Sequence, residues 1–185
     1  MTEKKKNAAI LLGSGSSLAY LLSIEYLDGR SAEWGWSWHD VTVDILGTSM
    51  FALQEWFWNE QKIQFKFSAH RKRYTEADLE SRANDLFGKS LPERLLKDYN
   101  AQTYWFSFNL SSFLTASKIP SWLNISVGHG AQGMFGGYEN VAFDKNGILI
   151  FDRTDIRRHR QWYLSPDIDL TRIKTNSKFL RTVLF

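Results

Sequence analysis

Seventeen consecutive residues, Ala8–Ile24, carry no charged side chain, and Lys4–Lys6 stand directly before them. A helix over that run is about 25 Å long, the short limit for crossing a bilayer. Gly13, Ser14, Gly15, Ser16 and Ser17 dilute its apolar character. Three structures fit such a run. It can be a signal peptide with Ser17-Leu18-Ala19 as a poor cleavage site. It can be a membrane helix whose small residues admit a second helix. It can be a buried helix of a soluble bundle. A second apolar segment, Trp38–Gln61, follows and favours the membrane-associated helix.

In that second segment Asp40 and Asp44 lie one turn apart, and Glu55 falls on the same stripe nearly three turns later. An otherwise apolar helix with one acidic stripe can face lipid or a core and turn its acids inward. Trp56, Phe57 and Trp58 close the segment as an interfacial cluster would, with Lys62 and Lys66 beyond. The positive-inside rule then places Lys4–Lys6 and Lys62–Arg73 on one side of a membrane and the turn 28–37 on the other. A helical hairpin is expected, an ordinary helix pair in a soluble core being the alternative.

From Ala101 the pattern changes to period two: Thr103, Trp105, Ser107 and Asn109 alternate with Tyr104, Phe106, Phe108 and Leu110. Residues 122–127 alternate likewise. A short strand over 147–151 follows an Asn146-Gly147 turn, and 160–173 alternates again, with Pro166 requiring an edge or a bulge. Between these parts, His70–Ser90 is polar, with a short helix over 76–87 capped by Thr75 and another starting at Leu91-Pro92. The fold class expected is α+β. An N-terminal helical hairpin (1–61) leads through a polar connector with short helices (62–99) to an antiparallel β-rich region (100–185).

The chain has 185 residues, with 23 Lys+Arg against 20 Asp+Glu. Its apolar share of 43% excludes disorder throughout. The absence of cysteine excludes disulfides, thiolate metal sites and a cysteine nucleophile. Residues 1–61 hold four basic and eight acidic side chains, so the positive charge resides in the remainder, clustered at Lys62–Arg73 and Arg153–Arg160. No nucleic-acid motif surrounds Arg157, Arg158 and Arg160, and Asp152 and Asp155 dilute their field, so no nucleic-acid partner is expected. Gly128-His129-Gly130-Ala131-Gln132-Gly133 matches a dinucleotide fingerprint, with Asp152 at the expected distance. Gly136 and Gly137 oppose the helix that should hold the pyrophosphate, so a glycine-rich strand or bulge with close packing is the favoured reading and no nucleotide is expected.

The chemistry-bearing constellation is acidic. Glu25 and Asp28 end the first helix, and Asp40 and Asp44 open the second. A closed hairpin would bring the four together, with Arg30 or His39 as a cationic partner. Such a group can serve as a polar lock, a hard-metal site or a proton-handling pair, and the lock is favoured because structural ion networks also gather charge. Among His39, His70, His129 and His159 no pair has metal-ligand spacing, no nucleophile elbow or triad stands out, and no cofactor is implied.

Glu25-Tyr-Leu-Asp28-Gly-Arg30, followed by Glu33-Trp-Gly-Trp-Ser37-Trp-His-Asp40-Val-Thr-Val-Asp44-Ile-Leu-Gly47, resembles the YfiM-type family of predicted periplasmic lipoproteins, a domain of unknown function, and more distantly the VanZ-like membrane family. The stretches 91–105 and 160–180 resemble longer envelope proteins of Bacteroidetes-type bacteria that carry this domain. Members usually have an Asp-Lys-x-x-His-like element upstream, which is absent before Glu25. On this resemblance the chain begins inside the family domain or is a shortened variant. The resemblance implies a bacterial cell-envelope address, on the periplasmic or outer-membrane side, and supplies no reaction. The expectation is a membrane-associated, non-catalytic structural or partner-binding protein. The alternative is a metal-dependent or acid/base membrane enzyme using Glu25, Asp28, Asp40 and Asp44.

Overall fold

A computed structural model describes residues 2–30, 36–114, 118–177 and 182, with Asp28 described in its backbone only. The chain divides into two compact units, Met1–Lys62 and Ile63–Phe185. The first consists of α1 (Glu3–Asp28) and α2 (Trp38–Trp58). The pair is antiparallel. Trp56 donates from its indole N–H to Asn7 Oδ1 at 3.0 Å, and Lys6 donates to Asn59, so the start of α1 meets the end of α2. At the other end the backbone N–H of Ser37 donates to the Glu25 carboxylate. The expected hairpin is therefore present.

Local chemistry explains the helix limits. Ser37 caps α2 by accepting from the Asp40 N–H at 3.2 Å. Asn59 ends it in the left-handed region, φ 57°, which asparagine tolerates better than most residues. Along both helices hydroxyls fold back onto the backbone. Ser14 donates to Ile10 O and Ser23 to Ala19 O, each at 2.7 Å, and Thr42 and Thr48 do the same in α2.

The second unit is built on an antiparallel sheet of β1 (Ile63–Ala69), β2 (Gln102–Asn109), β3 (Leu123–Gln132) and β6 (His159–Ile168), in that spatial order. The α+β class is thus realised, with the β-rich part antiparallel throughout. Pro166 stands in β6, an edge strand, where its missing N–H costs the ladder least. The hairpin of β4 (Val141–Phe143) and β5 (Leu149–Asp152) turns at Asn146-Gly147, with Gly147 at φ 78°.

Two local expectations are corrected. The stretch 62–99 is not only a connector, because its first residues form the edge strand β1. Ile63, Phe65 and Phe67 do alternate there, but the basic residues around them disguised it. Helix α3 (Ala77–Phe87) takes Glu76, not Thr75, as its N-cap residue, without a side-chain cap bond. Helix α4 (Leu91–Lys97) holds Pro92 in its first turn as expected and carries a full capping box between Ser90 and Glu93.

The apolar core of this unit lies away from the sheet. Leu79, Ala83 and Phe87 recur every fourth residue on α3 and bury against Phe135, with Tyr74, Phe151 and Ile156 packed around them. Tyr74 meets Phe135 edge to face, with centroids 5.1 Å apart.

Candidate functional site

The acidic group was expected at the hairpin tip. Glu25 is buried, and its carboxylate accepts the Ser37 backbone N–H, tying the end of α1 to the start of α2. Arg30 does not pair with it; its guanidinium lies 4.6 Å from the Tyr26 ring centroid. His39 and Asp40 are exposed, and Asp40 contributes its backbone N–H to the Ser37 cap. Asp44 is half-buried. The side chain of Asp28, and Glu33 and Trp34 of the aromatic turn, lie outside the described residues. Among the described residues no group of three or more acidic or histidine side chains could hold a metal ion.

The hairpin seam mixes apolar and polar side chains, and much of its apolar surface faces outward. Its inward stripe, at spacings of three and four, is Asn7, Ile10, Ser14, Leu18, Leu21 and Glu25 on α1, against Val41, Asp44, Thr48, Ala52 and Glu55 on α2. Half of these side chains are polar. Outward stand Leu11, Leu12, Ile24, Leu27, Val43, Leu46, Phe51 and Phe57, all exposed. At the base of the hairpin, buried Gln54 donates to Gln61 at 3.0 Å and accepts the Lys62 N–H, while Gln61 donates to Glu55 at 2.8 Å. Lys62 sits 5.0 Å from the Trp58 ring centroid. Among the described residues one helix, over Glu3–Leu27, is long and apolar enough to cross a membrane. The acids and glutamine of α2 keep it below that mark.

A second polar cluster was not anticipated from the sequence. On one face of the sheet Asp167 Oδ2 accepts three donors: Lys66 Nζ at 2.6 Å, the Ser107 hydroxyl, and Ser126 at 3.0 Å. Asn124 donates to Ser107 and receives from Asn109, and Gln64 donates to Asp169 at 3.0 Å. Ser107, Asn109, Asn124 and Asp169 are fully buried. Burial alone would raise the Asp167 pKa, but the Lys66 amine and the Ser107 hydroxyl hold it below the ordinary carboxylate value. Lys66 and Gln64 belong to β1, Asp167 and the residue after β6 to the opposite edge. Three strand spacings in a flat sheet are roughly 14 Å, beyond the reach of these pairs. The sheet therefore curls, with this polar face concave.

The concave face holds an open cavity of about 320 Å³, lined by Lys66, Ser68, Trp105, Ser126, Ser165 and Asp167 among others. Trp105 donates from its indole to Ser68 at 2.8 Å and lies over Gly128, where a Cβ would come within 2.6 Å of the ring. Gly128 and Gly130 of the glycine motif thus serve strand packing within β3. Gly133 (φ 75°) sits where a Cβ would meet the Arg157 carbonyl at 2.5 Å, and no helix follows it before β4.

A third network supports the apolar core. Arg94 and Asp98 are buried and paired at 3.3 Å; Arg94 also binds Glu80 and Asn84, and Tyr74 donates to both Asp98 oxygens at 3.0 Å. Burial first, then the neighbouring Asp98 charge, pushes the Tyr74 phenol well above its usual range. Burial likewise lowers the Lys72 amine, opposed by Asp98. No family model, no curated protein and no solved structure matches this chain.

Proposed function

We propose that the chain is a membrane-associated protein of the bacterial cell envelope, structural or partner-binding in role. The observation that carries the reading is the outer surface of the hairpin: leucine, isoleucine, valine and phenylalanine face outward, while Glu25, Asp44 and Thr48 share the seam with Ile10, Val41 and Ala52. In water that arrangement leaves apolar surface wet and buries groups that prefer solvent. In hydrocarbon the preference reverses, and acids, amides and hydroxyls gain from meeting one another between helices. The hydroxyls of Ser14, Ser23, Thr42 and Thr48 already bond to backbone carbonyls, as a lipid setting requires. The envelope address follows from the YfiM-type resemblance around residues 25–60.

Glu25 acts here as a lock that closes the hairpin through Ser37. Asp44, half-buried on the seam, helps to fix the register. The test is membrane fractionation followed by carbonate and detergent extraction. The chain is expected to stay with membranes in carbonate and to enter detergent. Asp44→Ala is expected to weaken that association or lower the hairpin's thermal stability. A chain released by carbonate as a soluble monomer would overturn the reading.

A further inference from the structure

The curled sheet, like the hairpin, leaves a broad apolar surface exposed. The register puts Phe65 and Phe67 of β1, Tyr104 and Phe106 of β2, Val127 of β3, and Trp162, Leu164 and Ile168 of β6 on the convex face. Each is at least 39% exposed. Together they leave on the order of 800 Å² of apolar surface uncovered, more than the largest patch of an ordinary soluble monomer. The concave face, by contrast, holds the saturated polar network around Asp167.

Charge and side-chain type are graded along this face. Ala69 pairs with Gln102, and His159 with Gln132, so His70–Arg73 and Arg157–Arg160 leave the same end of the sheet. Arg71, Arg73, Arg157 and Arg160 at that end are exposed and, among the described residues, carry no side-chain ion pair or hydrogen bond. Next along the strands come the amphipathic rings Tyr104, His129 and Trp162, the last two 4.7 Å apart. Beyond them the convex positions carry hydrocarbon, first Phe65, Phe106, Val127 and Leu164, then Ile63, Phe108, Ile125 and Pro166. Cation, then amphipathic aromatic, then hydrocarbon is the order a membrane interface presents from headgroup to acyl chain.

We propose that the convex face of the sheet docks on an anionic lipid surface, with its central strands β2 and β3 immersed in the upper acyl region and its basic end at the headgroups. The curvature suits this seating. It carries the unpaired edges of β1 and β6 away from the hydrocarbon, where open edges are not tolerated. The inference deepens the membrane reading of the hairpin and rests on it, but names a separate contact.

The chain has no cysteine, so single-cysteine variants of the full chain accept one environment-sensitive fluorophore each. Labels at Phe106→Cys, Val127→Cys and Leu164→Cys report the sheet, Leu12→Cys the hairpin, and Lys145→Cys exposed solvent. The probe is vesicles of phosphatidylcholine with or without phosphatidylglycerol, carrying spin-labelled acyl chains as quenchers. Quenching is expected at 106 and 127, weaker quenching at 164, and none at 145. Neutralising Arg71, Arg73, Arg157 and Arg160 to Gln is expected to cut the lipid quenching of the sheet labels on anionic vesicles to the level seen on phosphatidylcholine alone, while Leu12→Cys quenching stays unchanged. Sheet labels that stay open to aqueous iodide, or that are shielded without lipid quenching as under a protein partner or a second copy, would overturn the docking. A silent Leu12 label would instead overturn the hairpin reading. Leu164 is 72% exposed, so its variant keeps the test valid should Phe106→Cys fail to fold.

Discussion

Two regions of the second unit obey opposite rules. Around α3, Leu79, Ala83, Phe87 and Phe135 turn inward, the arrangement that apolar burial in water produces, with the buried Arg94–Asp98 pair beside them. In the adjoining sheet Ser107, Asn109, Asn124 and Ser126 are the inward side chains, while Phe65, Phe106, Trp162 and Leu164 face out. One chain thus uses apolar contact to hold the first region and a saturated hydrogen-bond network to hold the second. The stability of the sheet fold should therefore respond to loss of polar groups, and that of the helical region to loss of apolar ones.

The largest effect is expected in the helical region. Phe135 is 3% exposed, and its ring meets Tyr74 and Phe151. Phe135→Ala removes that ring and leaves a cavity, at a cost of about 3–5 kcal/mol. Denaturant unfolding of the full chain checks this value. A loss under 1 kcal/mol would show that the cluster is not the core of this unit, and the contrast with the sheet would fail.

The polar counterpart is Asp167→Asn. The substitution keeps the shape but removes the charge that Lys66, Ser107 and Ser126 address, and a cost of about 1–3 kcal/mol follows. The pH dependence gives the sharper reading. Because the folded state holds the Asp167 pKa below its unfolded value, the carboxylate's contribution is present above the unfolded pKa and fades as pH falls through the folded one. Wild type is expected to lose stability below about pH 4 more steeply than Asp167→Asn. Identical acid slopes would mean that the ion pair does not hold the sheet.

Part of this was legible in the sequence, and the limits have physical causes. Alternation at 103–110 disclosed β2 because period two is a local property of a strand. The same alternation cannot say which face is buried: polar and apolar sets are interchangeable until the surroundings are known. Hence nothing in the alternation marks Ser107, Asn124 and Asp167 as a group, although they meet on the concave face. Their partners lie up to about a hundred residues apart, as with Lys66 and Asp167, and no spacing rule reaches across a sheet register. At the hairpin Glu25 stood out as a carboxylate near a helix end. Its donor, the Ser37 backbone N–H, carries no side-chain signature. Arg30 looked like the natural partner by charge but turned to Tyr26.

The smallest stability effect completes the contrast. Leu164 is more exposed than any other leucine or phenylalanine of the sheet's convex face, so Leu164→Ser is expected to shift the lipid-free denaturation midpoint by no more than about 0.5 kcal/mol. The same substitution removes apolar area from the rim of the face proposed to meet lipid, so lipid quenching of a label at Val127→Cys should fall while that at Leu12→Cys is unchanged. The two readouts separate a face packed within the fold from a face that serves an outside surface. A drop in the lipid-free midpoint comparable to that of Phe135→Ala would mean that the chain itself covers Leu164, and the sheet would then follow the same rule as the helical region.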